Sequence, residues 1–165
     1  MKNIIRLVLL LALLALGWWL WTFLFPGPEK VIRQRMVKLA ETVTLSTQDS
    51  PIARAAKAQK LVGLFSPDAI IVLDAPEFGS RSLTGRDEIS ETAMAGFSAI
   101  RKLRVRFLDV TVELTAGKQS AIVSCTAEVH FEDNKDNGVQ EMRFDFKKID
   151  GNWLIGRVET VKTLL

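Results

Sequence analysis

The sequence predicts an α+β protein: three N-terminal helices and an antiparallel meander of four long strands, behind one transmembrane helix. Three observations predict it. Leu7 to Phe25 is an unbroken apolar run without a charge. In three stretches between residues 29 and 100 apolar side chains recur at three- and four-residue spacing, the period of a helix packed on one face. From Lys102 onward the period changes to two, the period of strands.

The run at 7–25 holds only one hydroxyl, Thr22. A helix rises about 1.5 Å per residue, so a run of this length spans roughly the 30 Å hydrocarbon core of a bilayer. Trp18, Trp19 and Trp21 lie in its second half, where indole rings favour the headgroup boundary. Pro26-Gly27-Pro28 ends it, since proline lacks an N–H and restricts the residue before it. The competing reading is a cleaved signal peptide, with Lys2 and Arg6 as its basic start and Ala15-Leu16-Gly17 as the cleavage site. Cleavage there would leave a chain beginning Trp-Trp-Leu-Trp, so the uncleaved anchor is favoured. Residues 1–28 are read as anchor and break, and 29–165 as one domain. Lys2 and Arg6 favour a cytoplasmic N-terminus, while Lys30, Arg33, Arg35 and Lys38 pull the other way. A five-residue tail is easily retained, which favours a single-pass protein of the bacterial inner membrane with its domain exported.

The net charge is +3, and removing Lys2 and Arg6 leaves the domain near balance, which argues against nucleic acid as partner. Arg101, Lys102, Arg104 and Arg106 form a basic row without interleaved aromatics; a solvated face or attraction to anionic headgroups fits them better. A single cysteine, Cys125, excludes an internal disulfide, and a single histidine, His130, cannot build a metal site; no metal and no cofactor is expected.

Each element has its own signal. Ile32, Met36, Leu39 and Val43 give the first helix, 29 to 46, an apolar stripe. Ser50-Pro51 opens the second as cap and first turn, with Ile52, Ala55, Ala56, Val62 and Phe65 as its buried side. Ser66-Pro67-Asp68 breaks it before a short strand at 69–73, and a loop rich in Gly, Ser and Pro follows. Thr84 caps the third helix, with Asp87 and Glu88 in its first turn and Ile89, Ala93, Phe97 and Ile100 as its stripe. Strands follow at 102–114, 119–132, 139–149 and from Trp153 to Val161. In the first of these the alternation slips between Phe107 and Leu108, as a β-bulge makes it do. A two-residue turn at Ala116-Gly117 sets Val112 against Ala121 and Leu108 against Cys125. A six-residue loop at 133–138 sets Val129 against Met142, Ala127 against Phe144, Glu128 against Arg143 and His130 against Glu141. Asp150-Gly151 marks the last hairpin.

This order resembles the nuclear transport factor 2-like superfamily, which includes ketosteroid isomerase-like and SnoaL-like proteins. The carrying residues are Leu64-Phe65-Ser66-Pro67-Asp68-Ala69, Thr84-Gly85-Arg86-Asp87-Glu88-Ile89 and Asp150-Gly151-Asn152-Trp153-Leu154-Ile155. The resemblance implies a cone-shaped barrel, a curved sheet wrapped on the helices with a pocket at its open end. Its members include isomerases, dehydratases, cyclases and scaffolds, so the fold alone gives no function. Asp74 is similar in position to the aspartate that serves as general base in ketosteroid isomerase-like enzymes, although the stretch is one residue longer here. The family's tyrosine partner has no counterpart, because the chain contains no tyrosine.

Strand parity nominates the pocket. Trp153, Phe144, Met142 and Phe107 fall on the apolar face, and in unbroken alternation Arg157 and Glu159 join them, either lining a pocket or pairing with each other at its rim. Two functions follow. The first is a membrane-tethered module that binds a small apolar ligand or assembles with a protein partner, with homodimerisation through the sheet. Its layout is similar to that of the inner-membrane assembly component of type IV secretion. The alternative is an isomerase or dehydratase on an apolar substrate, with Asp74 as base and Arg157 as anchor.

Overall fold

The computed structural model describes residue 12 and residues 14–17, 27–75, 79–131 and 138–161. Most of the apolar run at 7–25 lies outside them; Ala12 and residues 14–17 are helical. Among the described residues no helix is long and apolar enough to cross a membrane.

Three helices precede or interrupt the sheet: α1 (Pro28–Val43), α2 (Pro51–Val62) and α3 (Gly85–Ala99). The strands are β1 (Phe65–Ala75), β2 (Gly79–Thr84), β3 (Leu103–Leu114), β4 (Ser120–Phe131), β5 (Gly138–Ile149) and β6 (Asn152–Thr160). They form one six-stranded sheet in the order β2-β1-β6-β5-β4-β3. Every neighbouring pair is antiparallel except β1 with β6, which is parallel.

The helix faces follow the apolar stripes of α1 and α3. Ile32, Met36, Leu39, Ile89 and Phe97 are buried. The α2 face is a correction. Ile52 is 83% exposed, Ala55 and Ala56 are exposed, and the helix buries Ala58 and Leu61 instead. Both predicted caps stand at helix starts. The Ser50 hydroxyl accepts from the Ala53 amide at 3.2 Å. At Thr84 the bond is the reverse: its amide donates to the Glu88 carboxylate at 2.6 Å, one residue beyond the capping-box position.

Two arginines tie the helices to the frame. Arg86, in the first turn of α3, directs Nε and Nη2 at the carbonyl of Phe65, the first residue of β1. Arg54 on α2 reaches the carbonyls of Ser46, Asp49, Phe97, Ile100 and Arg101, so one guanidinium binds the start of α2 to the end of α3.

In β3, β4 and β5 the strand parities are as read except at Leu108, which pairs with Thr126 and not with Cys125 because the bulge falls after it; the other partners also differ. Leu114 faces Ala121 and Val112 faces Val123, two residues from the expected register, because the turn holds more than Ala116 and Gly117. The Thr115 amide donates to the Ser120 carbonyl at 3.0 Å, closing a four-residue loop. On the next hairpin Val129 pairs with Gly138, Cys125 with Met142, Ser124 with Arg143 and Thr126 with Glu141, a shift of four. His130 therefore lies opposite Arg104 and not Glu141; its Nε2 stands 3.9 Å from Glu128. Beyond the β3 bulge and on the β4–β5 hairpin the shifts are even, which keeps every side chain on its face, so parity alone could not have distinguished these registers.

Three irregularities interrupt the ladders. In β3 the pairing shifts between Leu108 and Thr111, with Asp109 at φ 52°, so the bulge falls just beyond the predicted slip. In β6 it shifts at Gly156, where Phe146 pairs with Ile155 but Asp145 with Arg157. In β1 it shifts between Phe65 and Ile70, across Ser66-Pro67-Asp68. There the Ser66 hydroxyl, fully buried, donates to the Asp68 carboxylate at 2.7 Å. Bulges bend strands and raise their twist, and these bend the sheet around α1 and α3.

The segment read as a loop after β1 contains β2, an edge strand with only Leu83 partly buried. The opposite edge, β3, is covered. Leu45 bridges Leu103, the Val105 amide donates to the Thr44 hydroxyl at 3.3 Å, and Arg33 donates to the Val110 carbonyl at 2.6 Å.

Candidate functional site: an apolar cavity in the sheet

The inner face of the sheet encloses a cavity of about 810 Å³. Leu39 and Val43 of α1 and Leu61 of α2 close one side. Ile71 and Leu73 of β1, Leu103, Val105 and Phe107 of β3, and Ala127, Val129 and Phe131 of β4 form the wall. Met142 and Phe144 of β5 and Val158 of β6 complete it. Phe107 and Phe144 meet edge to face, with ring centres 5.5 Å apart. At the ends of the strands the lining includes Gly79, Arg81, Gly138, Val139, Gln140 and Thr160.

Phe144, Met142 and Phe107 thus border the cavity. Trp153 does not: at 3% exposure it is core, with Phe146 and Ile155. Arg157 and Glu159 are a correction. The bulge at Gly156 takes up one residue, so the alternation that puts Trp153 and Ile155 inside resumes with Val158 and Thr160. Arg157 and Glu159 turn to the other face, where Arg157 Nε donates to Glu159 at 2.8 Å and Arg143 Nε lies 3.8 Å from the same carboxylate. They form an ion pair on the outer face.

Asp74 also turns away. It follows Leu73, which lines the cavity, and adjacent residues of a strand point to opposite faces. Its backbone is tied to the end of β6: its amide donates to the Thr160 hydroxyl at 2.9 Å, and that hydroxyl donates to the Asp74 carbonyl at 3.2 Å. The Asp74 carboxylate is therefore not aimed into the cavity.

Among the described lining residues there is no carboxylate and no histidine, and no three His, Cys, Asp or Glu side chains stand together as a metal site. Cys125 is buried, and burial pushes its thiol up to about 12, so it is a core residue without nucleophilic character. The polar lining groups that parity did not find are Arg81, Gln140 and Thr160. Arg81 was hidden because Gly79-Ser80-Arg81-Ser82 reads as a loop. Its signal was the alternation of Arg81 with Leu83, which pair with Leu73 and Ile71.

A second hollow of about 700 Å³ lies between α1 and β3. Its cationic side chains are engaged. Arg33 pairs with Glu29 at 3.0 Å, Lys57 with Asp49 at 2.7 Å, and Arg106 lies 3.7 Å from Glu128.

Helices on the inner face of a curved mixed sheet, with an apolar cavity between them, define a cystatin-like α+β domain. The profile of the SnoaL-like domain family matches residues 46–157, and the chain belongs to that family. A candidate scytalone dehydratase from Novosphingobium aromaticivorans superposes with a TM-score of 0.60 at 18% identity, covering 82% of this chain and 84% of that one. An NTF2-like protein of unknown function from Pseudomonas putida gives 0.63 at 10% identity, covering 80% and 84%. A candidate dehydratase of the NTF2-like family from Streptomyces avermitilis gives 0.58 at 16%, covering 82% and 96%. At these identities the likeness is one of fold. No curated protein matches the sequence.

Proposed function

We propose that this chain is a membrane-tethered SnoaL-like domain that binds a small apolar ligand. The observation that carries the reading is the cavity of about 810 Å³, whose described lining is apolar apart from three side chains at the strand ends. Ligand sites typically measure roughly 300–1,000 Å³ and are lined mainly by apolar groups with a few polar ones. Burial of apolar ligand surface then supplies the affinity, at about 25 cal/mol per Å² before the costs of association. The isomerase or dehydratase reading is weakened, since Asp74 and Arg157, its base and its anchor, face away from the cavity. Residues 1–28 act as the tether, with 7–25 in the bilayer and 29–165 displayed outside the inner membrane. The sheet's outer face, with Arg143, Glu159 and Arg157, is the surface offered for homodimerisation.

The test is to fill the cavity. Ala127 lines it and is 2% exposed, so Ala127→Phe places a ring in the space a ligand would take. The full chain should bind an uncharged apolar probe such as N-phenyl-1-naphthylamine with a rise in fluorescence. Ala127→Phe should lose that signal while keeping its circular dichroism. Equal binding by both proteins, or none by the wild type, overturns the ligand reading. The tether is tested by alkaline carbonate extraction of membranes, where release of the chain into the supernatant overturns it. A C-terminal reporter active only in the cytoplasm would reverse the orientation.

A further inference from the structure

We infer that the ligand is a single-chain amphiphile with a carboxylate head, its tail in the cavity and its head on Arg81. The inference rests on the cavity being a ligand site and names the chemistry of what it takes. Among the described residues, Arg81 is the one ionisable side chain that lines the cavity. Its place is set by register. Leu83 pairs with Ile71 and Arg81 with Leu73, so Arg81 follows Leu83 outward on the same face, two residues from the start of β2 at Gly79. Deeper in, Phe107, Met142 and Phe144 leave only apolar surface. A ligand seated there has its polar end at Arg81.

The other polar lining groups are committed. The Thr160 hydroxyl both donates to and accepts from the backbone of Asp74. The Gln140 amide donates to the carbonyls of Val161 at 3.0 Å and Glu141 at 3.2 Å. Arg81 makes no hydrogen bond or ion pair with any described residue, and no described carboxylate lines the cavity to neutralise it. A guanidinium offers five donors in a planar fork that matches a carboxylate bidentately. With one cation among the described rim residues, a singly charged head is matched, whereas a doubly charged phosphate monoester leaves a charge uncompensated. The apolar interior beside Arg81 favours an alkyl chain over a compact polar acid.

Equilibrium dialysis tests this with the full chain in zwitterionic phosphatidylcholine nanodiscs, empty discs serving as reference. The probes are lauric acid, dodecanol and dodecyl phosphate, which share one tail and differ in the head. Wild type should bind lauric acid at least about tenfold more tightly than dodecanol, the size of one charge-assisted contact. The preference should shrink as salt is raised, because the rim is exposed. Arg81→Gln should remove the preference by weakening lauric acid alone and leave dodecanol unchanged. An undiminished preference in Arg81→Gln overturns the role of Arg81. Tighter binding of dodecyl phosphate than of lauric acid overturns the carboxylate. Failure of all three to bind overturns the cavity reading itself, a result distinct from loss of head-group preference.

Discussion

Replacing Arg54 should cost the domain more than replacing any other exposed or half-exposed charge described above. Its guanidinium donates to the Phe97 carbonyl at 2.7 Å and to the Ile100 carbonyl, both part-buried at the end of α3. The bonds to Ser46 and Arg101 are exposed, and water replaces them when they are lost. The bond to Asp49 is long at 3.3 Å. Counting only the two short part-buried bonds, to Phe97 and Ile100, at about 1.5 kcal/mol each, Arg54→Met should lose about 3 kcal/mol. Two α3 carbonyls would be left without a donor at the negative end of the helix dipole. For a domain of this size that corresponds to a fall of roughly 10 °C in Tm. Arg54→Lys keeps the charge but not the fork and should lose about half as much. The assay is urea unfolding followed by circular dichroism, with both variants beside wild type. A loss below about 1 kcal/mol in Arg54→Met would show that the carbonyls rehydrate freely and that Arg54 does not hold the start of α2 to the end of α3. Because Ile100 and Leu103 line the cavity, the same variant should also weaken probe binding.

Asp74→Asn and Arg157→Gln should leave probe affinity within about twofold of wild type, since each side chain lies on the face away from the cavity; a tenfold loss in Asp74→Asn would restore it as a site residue. The Asp49 carboxyl lies below the ordinary range, first because Lys57 hydrogen-bonds it and then because the Ser46 amide does. Asp68 is lowered first by the Ser66 hydroxyl and then by Lys147. Their folded values lie below the unfolded value of about 3.9, so the stability they contribute is present above that pH and is lost as pH falls through the folded values. Acid titration should therefore show Asp49→Asn with a shallower loss of stability below about pH 4 than wild type, and an identical acid limb would contradict the assignment. Cys125 should resist a thiol reagent at pH 8 in the native protein and react fully once unfolded; complete labelling of native protein within minutes would show it is not core.

Much of this fold is legible in the sequence because apolar periodicity reports burial directly. The α1 stripe and the α3 stripe bury as their spacing requires. Alternation in β3, β4 and β5 puts Phe107, Met142 and Phe144 on the inner face. What periodicity does not report is partner and position. A register moved by two or four residues keeps every face, so only the true loop lengths fix it. The α2 face was misread because Ile52 stands in the first turn, where the chain is still at the surface, while Arg54, a charge, carries the tertiary contacts. The bulge in β3 left a visible slip. The bulge at Gly156 left one too, since Trp153 and Ile155 are followed by Val158 out of phase, and a glycine marks the place. Reading through it put Arg157 and Glu159 on the wrong face. β2 escaped notice because an edge strand with one partly buried side chain has no apolar alternation to show, and Arg81 was lost with it.

The parallel pairing of β1 with β6 has a kinetic consequence. Ile70 lies beside Arg157 and Val72 beside Glu159, so these neighbours are separated by most of the domain's chain. The hairpins joining β3 to β6 close short loops and can assemble early, whereas β1 and β2 have no place in the sheet until β6 exists. Pairing across so long a loop is slow, because its closure entropy must be met before any contact rewards it. During synthesis the first helices and β1 leave the ribosome ahead of their partner, with Phe65, Ile70 and Ile71 uncovered until β6 has been made. The step that seats β1 against β6 also completes the wall of the cavity, so ligand-binding capacity should arise last in refolding, after most of the secondary structure has returned.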